Sequence, residues 1–325
     1  MSTKPLSKEA LQELKKIADK VGVPLKDLLF WNWENIVVLK NEANPSNVAK
    51  DIEENQVTME TKIENWAMRT IIRVPDNYVS DAPLHFCFIL DQKWIKQAVQ
   101  PTWYIWKNAK VKIFAYCFGV EYEVTHWDGK IYHLEEGASL EVYEFNYNTM
   151  DSYMTVYNTF TAYLADNAYF KNYYVSTVGH LWHGITKWKV YCQGKNSKAE
   201  FITKNRILDN DISDLDITFY LEWENSSGLI QSKSVTYEWW TNKFVWKLVW
   251  KWDKTKGHIE CDEISMWNCV ISTSPQLLVK NPTSRLTHEA SVGTLEKKAI
   301  ENLLIKWFDE EQAIKFLISG ILDSV

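Results

Sequence analysis

Two stretches near the C-terminus gather residue types that can do chemistry. One is GHIECDEISMWNC (257–269), where Cys261 is followed by Asp262 and Glu263. The other is PTSRLTHEASVG (282–293), where His288 and Glu289 adjoin just before a strongly helical run. A thiol among carboxylates is a poor nucleophile, because neighbouring negative charge raises its pKa. A bound cation such as Fe²⁺ reverses that balance and favours the thiolate. Cys261, His288 and Glu289 together would therefore make a mixed iron site. Local sequence does not bring Cys261 beside Glu289. By itself it favours a buried cysteine and a His–Glu pair at a helix entry.

The other spacings exclude more than they offer. HEASV lacks the second histidine of a zincin, and GxxxxGK[ST], a strand-linked GxGxxG and GxSxG are all absent. His180 and His183 in GHLWHG are three apart, which suits a metal only on a helix. Their segment reads as strand, where positions i and i+3 face opposite ways. His126 and His133 flank WDGK, which reads as a hairpin turn between exposed strand histidines. The five cysteines, Cys87, Cys117, Cys192, Cys261 and Cys269, are scattered and lack a CxxC pair, so they read as small buried hydrophobes and not as a disulfide framework.

The elements that must position these residues follow from texture and composition. The chain has 325 residues, 46% of them hydrophobic, so it can bury a large core. Its net charge is −6 with no dense Lys/Arg patch, which argues against nucleic acid. MSTKPLSKEALQELKK is charged throughout, and no apolar run is long enough for a bilayer, so the chain reads as soluble and cytoplasmic. Residues 1–32 read as a helical segment. Ser7 caps a first helix carrying Leu11, Leu14, Ile17, Ala18 and Val21, which Gly22 and Pro24 stop, and a second runs from Pro24 to Phe30.

From residue 33 to 284, short alternating runs such as AKVKIFAYCF, ASLEVYEFNY and DITFYLEWE have strand texture. Turn-like pairs recur before these strands at Asn108-Ala109, Gly137-Ala138, Asn167-Ala168, Asn196-Ser197 and Asn225-Ser226, at spacings of 29, 30, 29 and 29 residues. Asn and Gly suit the left-handed corner of a solenoid coil, and this period is one that solenoids show. The segment therefore reads as a β-solenoid. Residues 285–325 read as helical, with Thr294 capping Leu295, Ala299, Ile300, Leu303, Leu304 and Trp307, and Asp309 capping Ala313, Phe316, Leu317 and Ile318. Such helices can cap the open end of a solenoid or dock a partner.

The order of landmarks from 257 onward is specific. GHxxCD, PxLxVKNP, THEASVG, a helix and then DEE opening another helix resemble the C-terminal core of the SufB/SufD family, scaffolds of the SUF iron–sulfur cluster assembly machinery. Weaker similarity runs back through GKNSKAEFITK and KNAKVKIFAYC. The resemblance implies a mainly β fold, a right-handed parallel β-helix flanked by terminal helical segments. It implies that Cys261 accepts sulfur and carries the nascent cluster, a transient one of [4Fe-4S] type. Glu289 becomes a labile iron ligand, with His288 beside it. The HEA reading leans towards SufB, and the short N-terminal region towards compact archaeal SufB-like proteins. The implied partners are a SufC-like ATPase, docked on residues 294–318, and a second copy or a SufB/SufD paralogue. The implied protein is a scaffold with no enzyme activity of its own, the ATPase activity belonging to the partner.

Seventeen tryptophans against eleven glycines is an unusual balance. Trp106, Trp246, Trp250, Trp252, Trp267 and Trp307 stand where the resemblance leads one to expect small residues at coil corners, where bulk at positive φ is costly. That pattern reads as an engineered variant of a SufB-like backbone with an altered docking face. The aromatic content also suits two competing readings, a carbohydrate-binding or carbohydrate-cleaving β-helix and a purely structural solenoid.

Overall fold

The computed structural model describes residues 57–323, apart from short breaks at 80–82, 91–92, 121–122, 151, 209, 238–240, 251, 267–268, 280–281 and 296. Before residue 57 it describes 15, 16, 19 and 36–40. Residues 15, 16 and 19 are helical; the expected Ser7 cap and the second short helix lie outside the described residues.

Alternation of small and large, polar and apolar residues drives the architecture. In SLEVYEFNYN (Ser139–Asn148) every second side chain is fully buried and the rest are half-buried. A strand with that pattern must lay one face on a core. Among the described residues eighteen strands build two nine-stranded sheets, which a coil crosses alternately. The even strands are β4 (Leu84–Leu90), β6 (Lys110–Gly119), β8 (Ser139–Asn148), β10 (Tyr169–Val178), β12 (Lys198–Ile207), β14 (Ser227–Thr236), β16 (Lys256–Ser265) and β18 (Arg285–Thr294). With β1 (Ile36–Lys40) they form one sheet in the order β1-β4-β6-β8-β10-β12-β14-β16-β18. The odd strands are β3 (Ala67–Val74), β5 (Lys96–Ile105), β7 (Val124–Leu134), β9 (Met154–Leu164), β11 (His183–Cys192), β13 (Ile212–Leu221), β15 (Thr241–Trp250) and β17 (Val270–Val279). They form the other sheet with β2 (Thr58–Glu64) at its edge. Pairing is parallel except for the β2–β3 hairpin. The expected β-solenoid is therefore the fold.

The repeat of corner residues has a direct cause. Asn108, Gly137, Asn167, Asn196 and Asn225 all have φ between 55° and 69°, and Asn77 and Lys254 extend the series. Each small residue that follows, Ala109, Ala138, Ala168, Ser197 and Ser226, is buried under the corner. Each corner N–H donates to a carbonyl of the next coil, for example Asn108 N to Glu136 O at 3.0 Å and Asn196 N to Glu224 O at 3.1 Å. Side chains join the ladder too, with Asn196 Nδ2 donating to Asn167 Oδ1 at 3.0 Å. A cheap left-handed conformation and a stackable amide explain the choice of Asn.

Several expectations need correcting. Trp246 is not at a corner: it lies within β15, fully buried in the solenoid core. Asn108 and Lys254, not Trp106 and Trp252, take the left-handed conformation. Trp250 ends β15, and Trp267 lies outside the described residues. Of the five that the structure describes, Trp307 alone has a positive φ, 70°, and it is 95% exposed. Trp246, inside a strand, is ordinary core material, and Trp106 and Trp252 do not take the left-handed corner, so the corner argument for an engineered chain fails at those three positions.

The chain leaves the solenoid later than expected, because residues 285–294 are strand β18 and the helices follow as α1 (Lys297–Leu304) and α2 (Glu310–Asp323). Asp309 does cap α2: Gln312 N donates to Asp309 Oδ1 at 2.7 Å, and Asp309 N to Gln312 Oε1 at 3.2 Å, a reciprocal capping box. The helices do not close the open end. Ile314, Ile318 and Leu322 of α2 pack sideways against Val235 of β14 and Met266. Among the described residues no helix is long and apolar enough to cross a membrane.

Candidate functional site

Register places the C-terminal residues. In the parallel pair β16–β18, Ile259 stands beside His288, Glu260 beside Glu289 and Cys261 beside Ala290. Register mates in a parallel sheet point to the same side, and successive residues to opposite sides. Ile259, Cys261 and Glu263 are buried and face the solenoid interior; His258, Glu260 and Asp262 are half-buried and face outward. His288 therefore shares the inner face with Cys261, and Glu289 shares the outer face with Glu260. The expected helix-entry position of His288 and Glu289 is replaced by a strand, and one whose residues are almost all exposed.

The inner face of this last full coil is polar. Cys261 is 0% exposed, and burial, then the nearby Glu263 carboxylate, push its thiol up to about 12. The expected effect of carboxylates on this thiol is present, although burial is the larger cause. Glu263 is also 0% exposed, and burial pushes its carboxyl up to about 8 against the lowering effect of the Ser232 hydroxyl. Ser232 Oγ donates to Glu263 Oε1 at 3.0 Å, and among the described residues Oε2 has no hydrogen-bond partner. On the outer face, Gln231 Nε2 donates to Glu260 Oε2 at 2.7 Å, Ser291 Oγ to Asp262 Oδ1 at 2.7 Å, and His258 Nδ1 lies 2.7 Å from Thr287 Oγ1. Among the described residues, no three His, Cys, Asp or Glu side chains stand close enough to hold a metal ion. The arrangement offers a thiol and a carboxyl on one face, with a histidine at the same face's rim.

β18 is the outermost strand of its sheet. Beside Glu263, its inner-face residue Val292 is 57% exposed. Among the described residues nothing pairs with its outer edge, so ten residues of strand edge are presented beside the Cys261 coil. The helices add a second uncovered surface. While one side of α2 packs on the solenoid, Leu304, Ile305, Trp307 and Phe316 are exposed around the α1–α2 turn.

A second polar cluster escaped the sequence reading. WDGK is no hairpin; β7 runs straight through Val124–Leu134. Its inner positions include His126, Asp128 and Lys130, all buried. Lys130 Nζ lies 2.6 Å from Asp128 Oδ2 and 2.8 Å from Glu144 Oε2, and donates to Asn158 Oδ1 at 3.0 Å. Asn158 and Asn172 donate to the Glu144 oxygens at 3.0 and 2.7 Å, and Trp188 Nε1 donates to Asn158 at 3.3 Å. Burial works against the Lys130 charge, but the two carboxylates outweigh it and raise its pKa. His126 was expected to be exposed. It is buried, and desolvation first, then Lys130, lower its pKa to about 3. His133 is half-buried, stacked between Tyr104 and Tyr163. The missed signal was parity: His126, Asp128 and Lys130 alternate in phase with Val124, Tyr132 and Leu134.

The remaining candidates resolve simply. His180 Nδ1 lies 3.1 Å from Asp211 Oδ1, one coil on, and His183 begins β11. None of the five cysteines is paired in a disulfide. The outer aromatic column Tyr104–His133–Tyr163–Tyr191–Tyr220 stacks ring on ring at 4.6–5.3 Å. Rings whose faces cover one another offer edges, not faces, to a sugar, which removes the stacking argument for carbohydrate along this column.

The chain is similar to known proteins along most of its length. Residues 103–321 match the family described as SUF system FeS cluster assembly, SufBD core domain. An iron–sulfur cluster assembly SufBD family protein of Methanocaldococcus jannaschii is 23% identical over 269 residues, 82% of this chain and 84% of that protein. Two SufBD family proteins of Pyrococcus horikoshii also match. One is 30% identical over 129 residues, 40% of each chain; the other is 26% identical over 261 residues, 79% of this chain and 58% of that protein.

Proposed function

This chain belongs to the SufBD family, and on that premise we propose that it is a scaffold of SUF-type iron–sulfur cluster assembly, building a nascent cluster at a dimer interface under the control of a SufC-type ATPase. Iron and sulfide are its cargo. The observation that carries the reading is β18: an uncovered ten-residue strand edge directly beside the coil that holds Cys261. A long bare edge invites another strand. A second copy, or a SufB/SufD paralogue, pairs there and places its own Cys261 coil opposite the first.

In this reading Cys261 holds iron as thiolate and sulfide bridges the bound iron, while Glu289 on the pairing edge is the labile oxygen ligand and His288 supplies nitrogen at the inner rim. Thiolate suits iron, and a carboxylate exchanges readily enough for a cluster that must leave. The thiol must first lose its proton, which its buried position opposes; cation arrival supplies the missing stabilisation. The apolar surface of Leu304, Ile305, Trp307 and Phe316 docks the ATPase. Closure of two bound ATPases then pulls on α2, whose inner side is packed on β14, and shifts the edge so that Cys261 and Glu289 open to cargo.

Anaerobic incubation with Fe²⁺, sulfide and a thiol tests the site. A broad charge-transfer absorption is expected in the wild type and lost in Cys261→Ala. If Cys261→Ala and Glu289→Ala both leave the bound cluster unchanged, the site is wrong. Co-purification with a SufC-like ATPase, abolished by Trp307→Asp with Phe316→Asp, tests the docking surface.

A further inference from the structure

We infer that Glu263 is the carboxylate that holds iron against Cys261 in the solenoid as it stands, before any movement of the edge strand brings Glu289 into play. The inference rests on the reading of Cys261 as an iron-binding thiol, and it assigns that thiol an inner-face partner.

Position makes the first argument. Cys261 and Glu263 are two residues apart on β16 and both face inward. Two residues of strand set their Cα atoms about 6.6 Å apart, and the longer glutamate side chain can lean back to the sulfur–oxygen separation of about 4 Å that one ion spans. Glu289 is no such partner in this arrangement. It is in register with Glu260, so the β16–β18 sheet itself separates its side chain from that of Cys261.

The second argument is the state of the Glu263 side chain. One oxygen is fixed by Ser232 Oγ at 3.0 Å, which aims the carboxyl, and the other has no partner although the residue is 0% exposed. Ser234 and Val292 flank it in register, and neither carries charge. Among the described residues, Ser232 donates to it and Asp262 lies beside it, and neither is a cation. The contrast lies deeper in the same solenoid, where Asp128 and Glu144 share the Lys130 ammonium. A buried acid without a cation is costly unless a cation is supplied. Here a thiol on the same face adds a second donor, and the open end of the solenoid lies one coil away.

The test is metal binding by the protein alone, without ATPase or sulfide. Co²⁺ serves as the probe, because a cobalt–thiolate bond gives a charge-transfer band in the near ultraviolet. Titration of the wild type should raise that band, and Cys261→Ser should abolish it. Glu263→Gln keeps the shape and the Ser232 hydrogen bond, and should weaken Co²⁺ binding at least tenfold. Glu260→Gln, on the outer face of the same strand, should change it less than twofold. If Glu263→Gln does not fold, Glu263→Met, which removes the buried acid at similar volume, carries the measurement. A Glu263 variant that binds like wild type while Cys261→Ser loses the band overturns the role of Glu263 and leaves Cys261 in place. A tenfold loss in Glu289→Gln with none in the Glu263 variants gives the role to Glu289. A Cys261→Ser protein that binds Co²⁺ unchanged sinks the Cys261 site and this inference with it.

Discussion

His126 should make the folded protein acid-sensitive by an amount that can be worked from its burial. The imidazole is buried on the inner face of β7, packed at 5.3 Å on Phe88, and its pKa is lowered to about 3 by burial and by Lys130. The unfolded chain protonates this ring near 6.5. A group whose folded pKa is depressed leaves the unfolded state holding more protons as pH falls, so stability is lost between the two pKa values. Between pH 7.5 and pH 5 the loss is about 2 kcal/mol, from about 1.36 kcal/mol for each unit by which pH 5 lies below 6.5. His126→Leu removes the titration. Urea unfolding of both proteins at the two pH values isolates the effect, because every other titrating group cancels in the double difference. The wild type should lose about 2 kcal/mol more than the variant on moving to pH 5. Equal losses would refute the claim that His126 is held neutral by burial.

Three further outcomes follow from named contacts. Lys130→Met strands the Asp128 and Glu144 carboxylates in the core, and should cost about 3–5 kcal/mol by urea unfolding, whereas a cost below about 1 kcal/mol would mean that the three charges are not buried together. Gly137 sits at φ +69°, where a Cβ would press on the Asn108 side chain, so Gly137→Ala should cost about 1–2 kcal/mol; Gly137→Asn should cost less, since Asn fills the same corner at other rungs. Asp309→Ala removes the cap of α2 and should cost about 1 kcal/mol, read as lower helicity by circular dichroism and faster amide exchange in the first turn of α2.

The amino-acid sequence by itself determined the solenoid, its corners and the cap of α2. Asn108, Asn167, Asn196 and Asn225 were legible because a left-handed corner is a local demand, met by residues that adopt it cheaply whatever surrounds them. Asp309 was legible for the same reason: the hydrogen bonds that fix it span three residues. The tertiary structure decided which side each strand residue faces. Facing is set by register with strands about one coil, some 29 residues, away, as for Ser227 beside Lys256 and Lys256 beside Arg285. A shift of one residue would exchange the two faces. That register makes Asp128 and Lys130 core residues although Asp-Gly has the look of a turn, and it places Trp246 inside. At the C-terminus it sets His288 on the inner side with Cys261 and turns Glu289 to the outer side beside Glu260. It also singles out Glu263, an acid that in sequence is one of three near Cys261 and in the fold is the buried one, with an oxygen that nothing among the described residues satisfies.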